Sequence, residues 1–192
     1  MLIFISGGVR SGKSALGEAY AVQLTTGTKV YLATAMVLDD EMKARVEKHQ
    51  RDRQDKGFVT LECPYHIGRA AKKIPPKATV LLDCLGNLLA NELFAENPAT
   101  ESVEELPKRI LWELEALSQA SKHLIVISND VFGEGLWLGE QVEAYRQALG
   151  TLHCFLAQQA QVVIECVAGI PLYHKGIPQQ GIIENGGDVE CS

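Results

Sequence analysis

The sequence predicts an α/β fold, a mainly parallel central sheet flanked by helices, and three observations predict it. A β-prone apolar run, Leu2-Ile3-Phe4-Ile5-Ser6, leads through a glycine-rich turn into a helix-compatible run from Ala15. Apolar runs bounded by turn signals recur at residues 2–6, 29–33, 78–82, 123–128 and 161–167. Helix-like stretches separate most of them, and strands that alternate with helices build parallel sheets covered on both faces. The chain of 192 residues suits one domain with a sizeable core. We expect a single catalytic domain over residues 1–175 and a mobile tail over 176–192, which is rich in Gly and Gln.

Taken in order, the first strand runs into Gly7-Gly8-Val9-Arg10-Ser11-Gly12-Lys13-Ser14, which fits G-x-x-x-x-G-K-[ST] at every fixed position. The glycines let backbone N–H groups close around a phosphate. Lys13 supplies charge to the β- and γ-phosphates, and Ser14 a hydroxyl for Mg²⁺. A helix over 14–24 adds the partial positive charge of its N-terminus. This strand–loop–helix order is the context of a P-loop NTPase and implies a bound nucleoside triphosphate. Further helices are expected over 40–54, 65–73, 84–94, 103–120 and 138–160, with Gly150 a candidate break in the last. Residues 95–100 read as a loop containing Pro98.

Composition excludes several classes. Hydrophobic residues make up 46% and charged residues 22%, ordinary for a globular protein. A net charge of −6 lacks the basic excess of a general nucleic-acid binder. No apolar run approaches the ~18 residues that span a bilayer, so no membrane insertion is expected. Residues 1–5 do not read as a signal peptide, and a cytoplasmic location follows as the expectation. Cys63, Cys84, Cys154, Cys166 and Cys191 form no C-x-x-C pair and read as small apolar side chains, not a disulfide framework or a zinc site.

Two constellations carry chemistry. Asp83 ends an apolar strand, where a carboxylate in a phosphate-loop fold approaches Mg²⁺; the alternative is an N-cap for the helix that follows. The helix beginning at Asp39-Asp40-Glu41-Met42 aligns Met42, Val46, His49 and Arg53 on one stripe, with Arg45 one turn before His49. Neighbouring guanidinium groups favour a neutral, nucleophilic imidazole and suit a triphosphate. The other reading of these residues is a surface helix with an idle histidine. His66, His123, His153 and His174 have no comparable setting, although His123 is placed at a strand start. Trp112 falls at core spacing in an amphipathic helix. Trp137 lies in a glycine-rich segment that could close over a large ligand.

Together these residues resemble a known family. The phosphate loop, Ala33-Thr34, Asp39 to Met42, Arg45-Val46 then His49, Glu62 and Asp83-Cys84-Leu85 are similar to the bifunctional adenosylcobinamide kinase/adenosylcobinamide-phosphate guanylyltransferase of cobalamin biosynthesis. The resemblance covers about residues 1–175 and is densest over 1–90. It implies a RecA-like fold, a homotrimer and two reactions. In the first, ATP or GTP phosphorylates the adenosylcobinamide hydroxyl. In the second, GMP passes from GTP to that phosphate through a GMP–histidine intermediate, whose matching residue is His49.

The same resemblance implies nucleotide contacts at Gly7 to Ser14, Thr34, Ala35, Met36, Gln50, Arg51, Asp52, Arg53, Glu62 and Asp83. The chain departs from the family pattern at Gly86-Asn87, where the family usually has two hydroxyl residues. It departs again after the fourth strand, at Asn129-Asp130-Val131-Phe132, where Asn-Glu-Val-Gly is usual. Two other functions remain compatible with the phosphate loop: a different small-molecule kinase without a covalent nucleotide, and a regulatory nucleotide switch. The chain carries no Asn-Lys-x-Asp guanine-reading motif, which disfavours the switch.

Overall fold

β1 (Leu2–Gly7) is the strand around which the sheet is built, and its side chains alternate between the two faces, as a pleated strand requires. The structure is a computed structural model that describes residues 1–25, 27–36, 55–95, 102–133 and 139–176. The helix expected over 40–54, most of the loop over 95–100 and the tail beyond Gly176 lie outside the described residues, as does Trp137.

After β1 come α1 (Lys13–Leu24), β2 (Lys29–Ala33), β3 (Phe58–Glu62), a 3-10 helix (Ile67–Lys73) and β4 (Thr79–Asp83). Then follow α2 (Leu85–Leu93), α3 (Leu106–Ala120), β5 (His123–Asn129), α4 (Glu140–Gln159), β6 (Val162–Val167) and β7 (Ile170–Lys175). The seven strands form one sheet in the order β3-β2-β4-β5-β1-β6-β7. All pairs are parallel except β6–β7, so the α/β fold with a mainly parallel sheet is borne out.

Two apolar layers sandwich the sheet. Phe4, Leu32, Val80, Leu82, Leu124 and Val126 face the 3-10 helix, α2, α3 and α4, which contribute Ile67, Leu88, Ile110 and Leu149. Ile3, Ile5, Tyr31, Leu81, Ile125 and Ile127 face the other way, onto Tyr20 and Ala21 of α1. Burying each of these large side chains contributes about 1.5–3 kcal/mol before entropy is charged against it. Among the described residues no helix is long and apolar enough to cross a membrane.

Two strands go beyond the expected set, and three expectations need correction. β3 and β7 are strands that the apolar runs do not reveal. β3 is an edge strand with only Phe58 fully buried, and β7 is the opposite edge, with Ile170 and Leu172 exposed. A two-residue turn at Ala168 and Gly169, both at positive φ (49° and 84°), folds β7 back on β6. Residues 65–73 give a 3-10 helix over Ile67–Lys73 instead of an α-helix. Gly150 does not break α4, which runs through it unbroken from Glu140 to Gln159. Trp112, expected in the core, is 70% exposed, because α3 buries the stripe of Leu106, Ile110, Glu113, Leu114 and Leu117 instead.

Candidate nucleotide-binding site

Parallel pairing brings the C-terminal ends of β1, β2, β3, β4 and β5 to one edge of the sheet, and the phosphate loop, Thr34, Glu62 and Asp83 stand at those ends. Gly7 ends β1, Lys13 and Ser14 open α1, and Gly8 to Gly12 form the loop between. The loop holds two left-handed residues, Arg10 at φ 58° and Gly12 at φ 87°. Such a conformation is unusual for arginine and marks a backbone held by its surroundings. Those surroundings are visible: the Asp130 N–H donates to the Gly7 carbonyl at 2.9 Å, and the Gly169 N–H to the Ser11 carbonyl at 3.0 Å. Gly7 must lack a side chain, since a Cβ there would stand 2.5 Å from Ser11 Oγ and 2.6 Å from the Cys166 carbonyl.

Lys13 is buried, and its ammonium donates to the Gly8 carbonyl at 2.9 Å. The charge therefore sits folded over the loop where a phosphate would arrive. Ser11 Oγ is buried without a hydrogen-bond partner among the described residues. Burial next to this loop pushes the Cys84 and Cys166 thiols up to about 11 each, so both stay protonated and act as packing groups.

Asp83 is the last residue of β4, and the helix N-cap is its neighbour Cys84, whose sulfur accepts from Asn87 N at 3.4 Å. The capping alternative for Asp83 is thereby removed. Instead Asp83 Oδ2 accepts a hydrogen bond from the Tyr31 hydroxyl at 2.8 Å. Tyr31 lies two residues before Ala33, the register partner of Asp83, so the two side chains form a diagonal pair on one sheet face.

Thr34 is fully buried and wholly engaged. Its N–H donates to the Asp83 carbonyl, its hydroxyl bonds both the N–H and the carbonyl of Cys84 at 2.8 Å, and its carbonyl accepts from Asn91 Nδ2 at 2.7 Å. Thr34 thus clamps the end of β2 to the β4–α2 junction. Asn91 extends the clamp to the Pro64 carbonyl at 3.0 Å. Ala35 and Met36 follow β2, and Met36 Sδ receives the Tyr65 hydroxyl at 2.9 Å. Glu62 closes β3 at the same edge. His49, Gln50, Arg51, Asp52 and Arg53 lie outside the described residues.

Beside this edge, Arg109 on α3 bridges the buried carboxylates of Glu92, at 3.0 Å, and Glu113, at 3.2 Å, and touches His66 Nδ1 at 3.1 Å. Further along, His153 Nε2 meets the buried Ser128 hydroxyl at 2.7 Å, with the rings of Phe4 and Phe132 edge-on at 5.0 and 5.3 Å. Burial pushes the His153 imidazole down to about 4, against the opposing charge of Asp130. Sequence reasoning did not single out Tyr31, Asn91 or Tyr145. Alternation on β2 relative to Asp83 was the one available signal for Tyr31.

A strand, a phosphate loop held from two sides, a folded-in lysine and a tyrosine-held carboxylate two strands away at the same sheet edge define a phosphate-loop nucleotide-binding enzyme. The chain belongs to the CobU family, cobinamide kinase / cobinamide phosphate guanyltransferase, which it matches over residues 3–173. It is therefore an enzyme of this bifunctional kinase and guanylyltransferase class. It is 35% identical to the bifunctional adenosylcobalamin biosynthesis protein CobP of Pseudomonas aeruginosa, over 91% of this chain and 97% of that one. It is 30% identical to the bifunctional adenosylcobalamin biosynthesis protein CobU of Escherichia coli, over 88% of this chain and 97% of the relative. The CobU protein of Salmonella typhimurium matches equally well, at 30% identity over 183 residues.

Proposed function

We propose that this chain phosphorylates the hydroxyl of adenosylcobinamide with ATP or GTP and then transfers GMP from GTP to the new phosphate. The products are adenosylcobinamide-GDP and pyrophosphate. The observation that carries the reading is the phosphate loop at the end of β1 with Asp83 at the end of β4, on either side of β5 at the same sheet edge, in a chain that matches the family over residues 3–173.

The loop N–H groups and Lys13 bind the triphosphate and hold its charge as the leaving group departs. Lys13 leaves the Gly8 carbonyl for the phosphates when nucleotide enters. Ser14 and Asp83 are the residues that would hold Mg²⁺, and the donor set fits: a hydroxyl and a carboxylate whose Oδ2 is already oriented by Tyr31. Bound there, Mg²⁺ neutralises charge on the β- and γ-phosphates.

For guanylyl transfer, a neutral His49 nitrogen attacks the α-phosphorus of GTP. The N–P bond forms, the bond to the bridging oxygen breaks, pyrophosphate leaves, and the ring proton passes to water. A phosphate oxygen of the acceptor then attacks the same phosphorus, the P–N bond breaks, and the imidazole is regenerated. Gln50, Arg51, Asp52, Arg53, Glu62, Ala35 and Met36 complete the nucleotide contacts in this reading; the resemblance supports a homotrimer, and the sequence pattern a cytoplasmic location.

The test is to incubate the purified protein with adenosylcobinamide, Mg²⁺ and GTP and to follow product masses. Sequential gain of a phosphoryl group and then a guanylyl group is expected. A phosphorylated product alone leaves only a kinase, and no modified product contradicts the proposal.

A further inference from the structure

Gly86 lies beside a hydroxyl supplied by a distant element. A Cβ built on Gly86 would stand 3.0 Å from the Tyr145 hydroxyl oxygen and 3.8 Å from Asn129 Cβ and Nδ2. Tyr145 comes from α4, 59 residues along the chain, and its hydroxyl donates to the Gly86 carbonyl at 3.3 Å. The phenol is half-buried, with its ring tilted against Phe94 at a centroid distance of 6.4 Å. Burial pushes its ionisation up to about 12, so it keeps its proton at neutral pH.

The hydroxyl is at the reaction edge of the sheet. Gly86 lies in the first turn of α2, three residues beyond Asp83. Asn129 is the register partner of Gly7, and its amide reaches toward Cys84 Sγ at 3.9 Å. Tyr145, Gly86, Asn129 and the phosphate loop therefore surround one end of the β4–β5–β1 segment. A phenol that donates to a carbonyl retains lone pairs for an incoming O–H, which is what an alcohol acceptor presents.

We propose that the Tyr145 hydroxyl is a recognition group for the phosphoryl acceptor, taking the alcohol of the substrate arm in the space that a side chain at position 86 would otherwise fill. The inference rests on the kinase reading above. It also makes positions 86 and 145 interdependent: a side chain at 86 crowds the Tyr145 hydroxyl, and a phenylalanine at 145 frees space for a serine.

The experiment is steady-state phosphorylation with adenosylcobinamide varied at saturating nucleotide, for wild type, Tyr145→Phe, Gly86→Ser and the double variant. Tyr145→Phe is expected to raise the acceptor KM about tenfold, the effect of one lost hydrogen bond, with the nucleotide KM unchanged. Gly86→Ser alone should impair turnover through crowding, whereas the double variant should recover most of the lost acceptor affinity. An unchanged acceptor KM in Tyr145→Phe would overturn the inference while leaving the activity intact. So would a loss shared equally with the nucleotide KM and not relieved by serine. A wild-type protein that phosphorylates no acceptor would instead overturn the kinase reading, and the inference with it.

Discussion

The Tyr31 hydroxyl holds Asp83 Oδ2 at 2.8 Å across the β2–β4 pair. Tyr31 is itself fixed in the core, 6% exposed and edge-on to Phe58 at 6.3 Å. A carboxylate oriented before nucleotide arrives costs nothing to organise during the reaction. Tyr31→Phe keeps the ring and its packing but releases the carboxylate. Hydrogen bonds to charged groups are worth ~1.5–3 kcal/mol, so turnover should fall about tenfold or more. The Mg²⁺ concentration for half-maximal rate should rise, and nucleotide affinity measured without Mg²⁺ should stay as in wild type. An unchanged Mg²⁺ dependence would remove Tyr31 from the site.

Gly7→Ala tests the phosphate loop at its tightest point. The added methyl would collide with the Cys166 carbonyl, 2.6 Å away, which is backbone and cannot turn aside. The loop must shift, and its N–H groups lose their aim at the phosphates. Nucleotide affinity by titration calorimetry should fall more than about tenfold, by loss of several aligned donors.

Thr34→Val tests whether the clamp is structural. Valine matches threonine in shape but leaves the buried Cys84 N–H without its acceptor. An unsatisfied buried donor costs about 1–3 kcal/mol, so the urea midpoint should drop with an unchanged slope. A purely nucleotide-contacting threonine would instead leave the midpoint alone.

His153 gives a pH signature to folding. Its imidazole is pushed down to about 4 in the folded protein, against an ordinary value of 6.5. Between those values the unfolded chain takes up a proton that the folded one refuses. This group therefore lowers stability as pH falls from about 6.5 toward 4, by on the order of 3 kcal/mol, and has no such effect above 6.5. His153→Gln should lose part of that slope in urea titrations across the window. An identical slope in the variant would assign the acid sensitivity to other groups.

The elements legible in the sequence were those whose burial leaves a simple trace. β1, β2, β4, β5 and β6 are covered on both faces, so each reads as a continuous apolar run. β3 and β7 are edges with one face half open. Their mixed composition, including Pro171 in β7, carries no run to read. The phosphate loop was legible because its chemistry is local, eight consecutive residues doing one job.

Tyr31, Asn91 and Tyr145 were not legible, since each acts across tens of residues on a partner that only the sheet order brings near. Trp112 misled because helical spacing alone does not say which of two adjoining stripes faces inward. Glu113 takes the buried position beside it, its charge balanced by Arg109.

The proposed function turns on a covalent guanylyl intermediate on His49. The measurement is labelling with GTP carrying a labelled α-phosphate, with Mg²⁺ and no acceptor, on wild type and His49→Ala. An acid-labile, alkali-stable label is expected on wild type, discharged by adenosylcobinamide phosphate and missing from the variant. A folded, GTP-binding wild type that takes no label, or a His49→Ala protein that labels equally well, would contradict it.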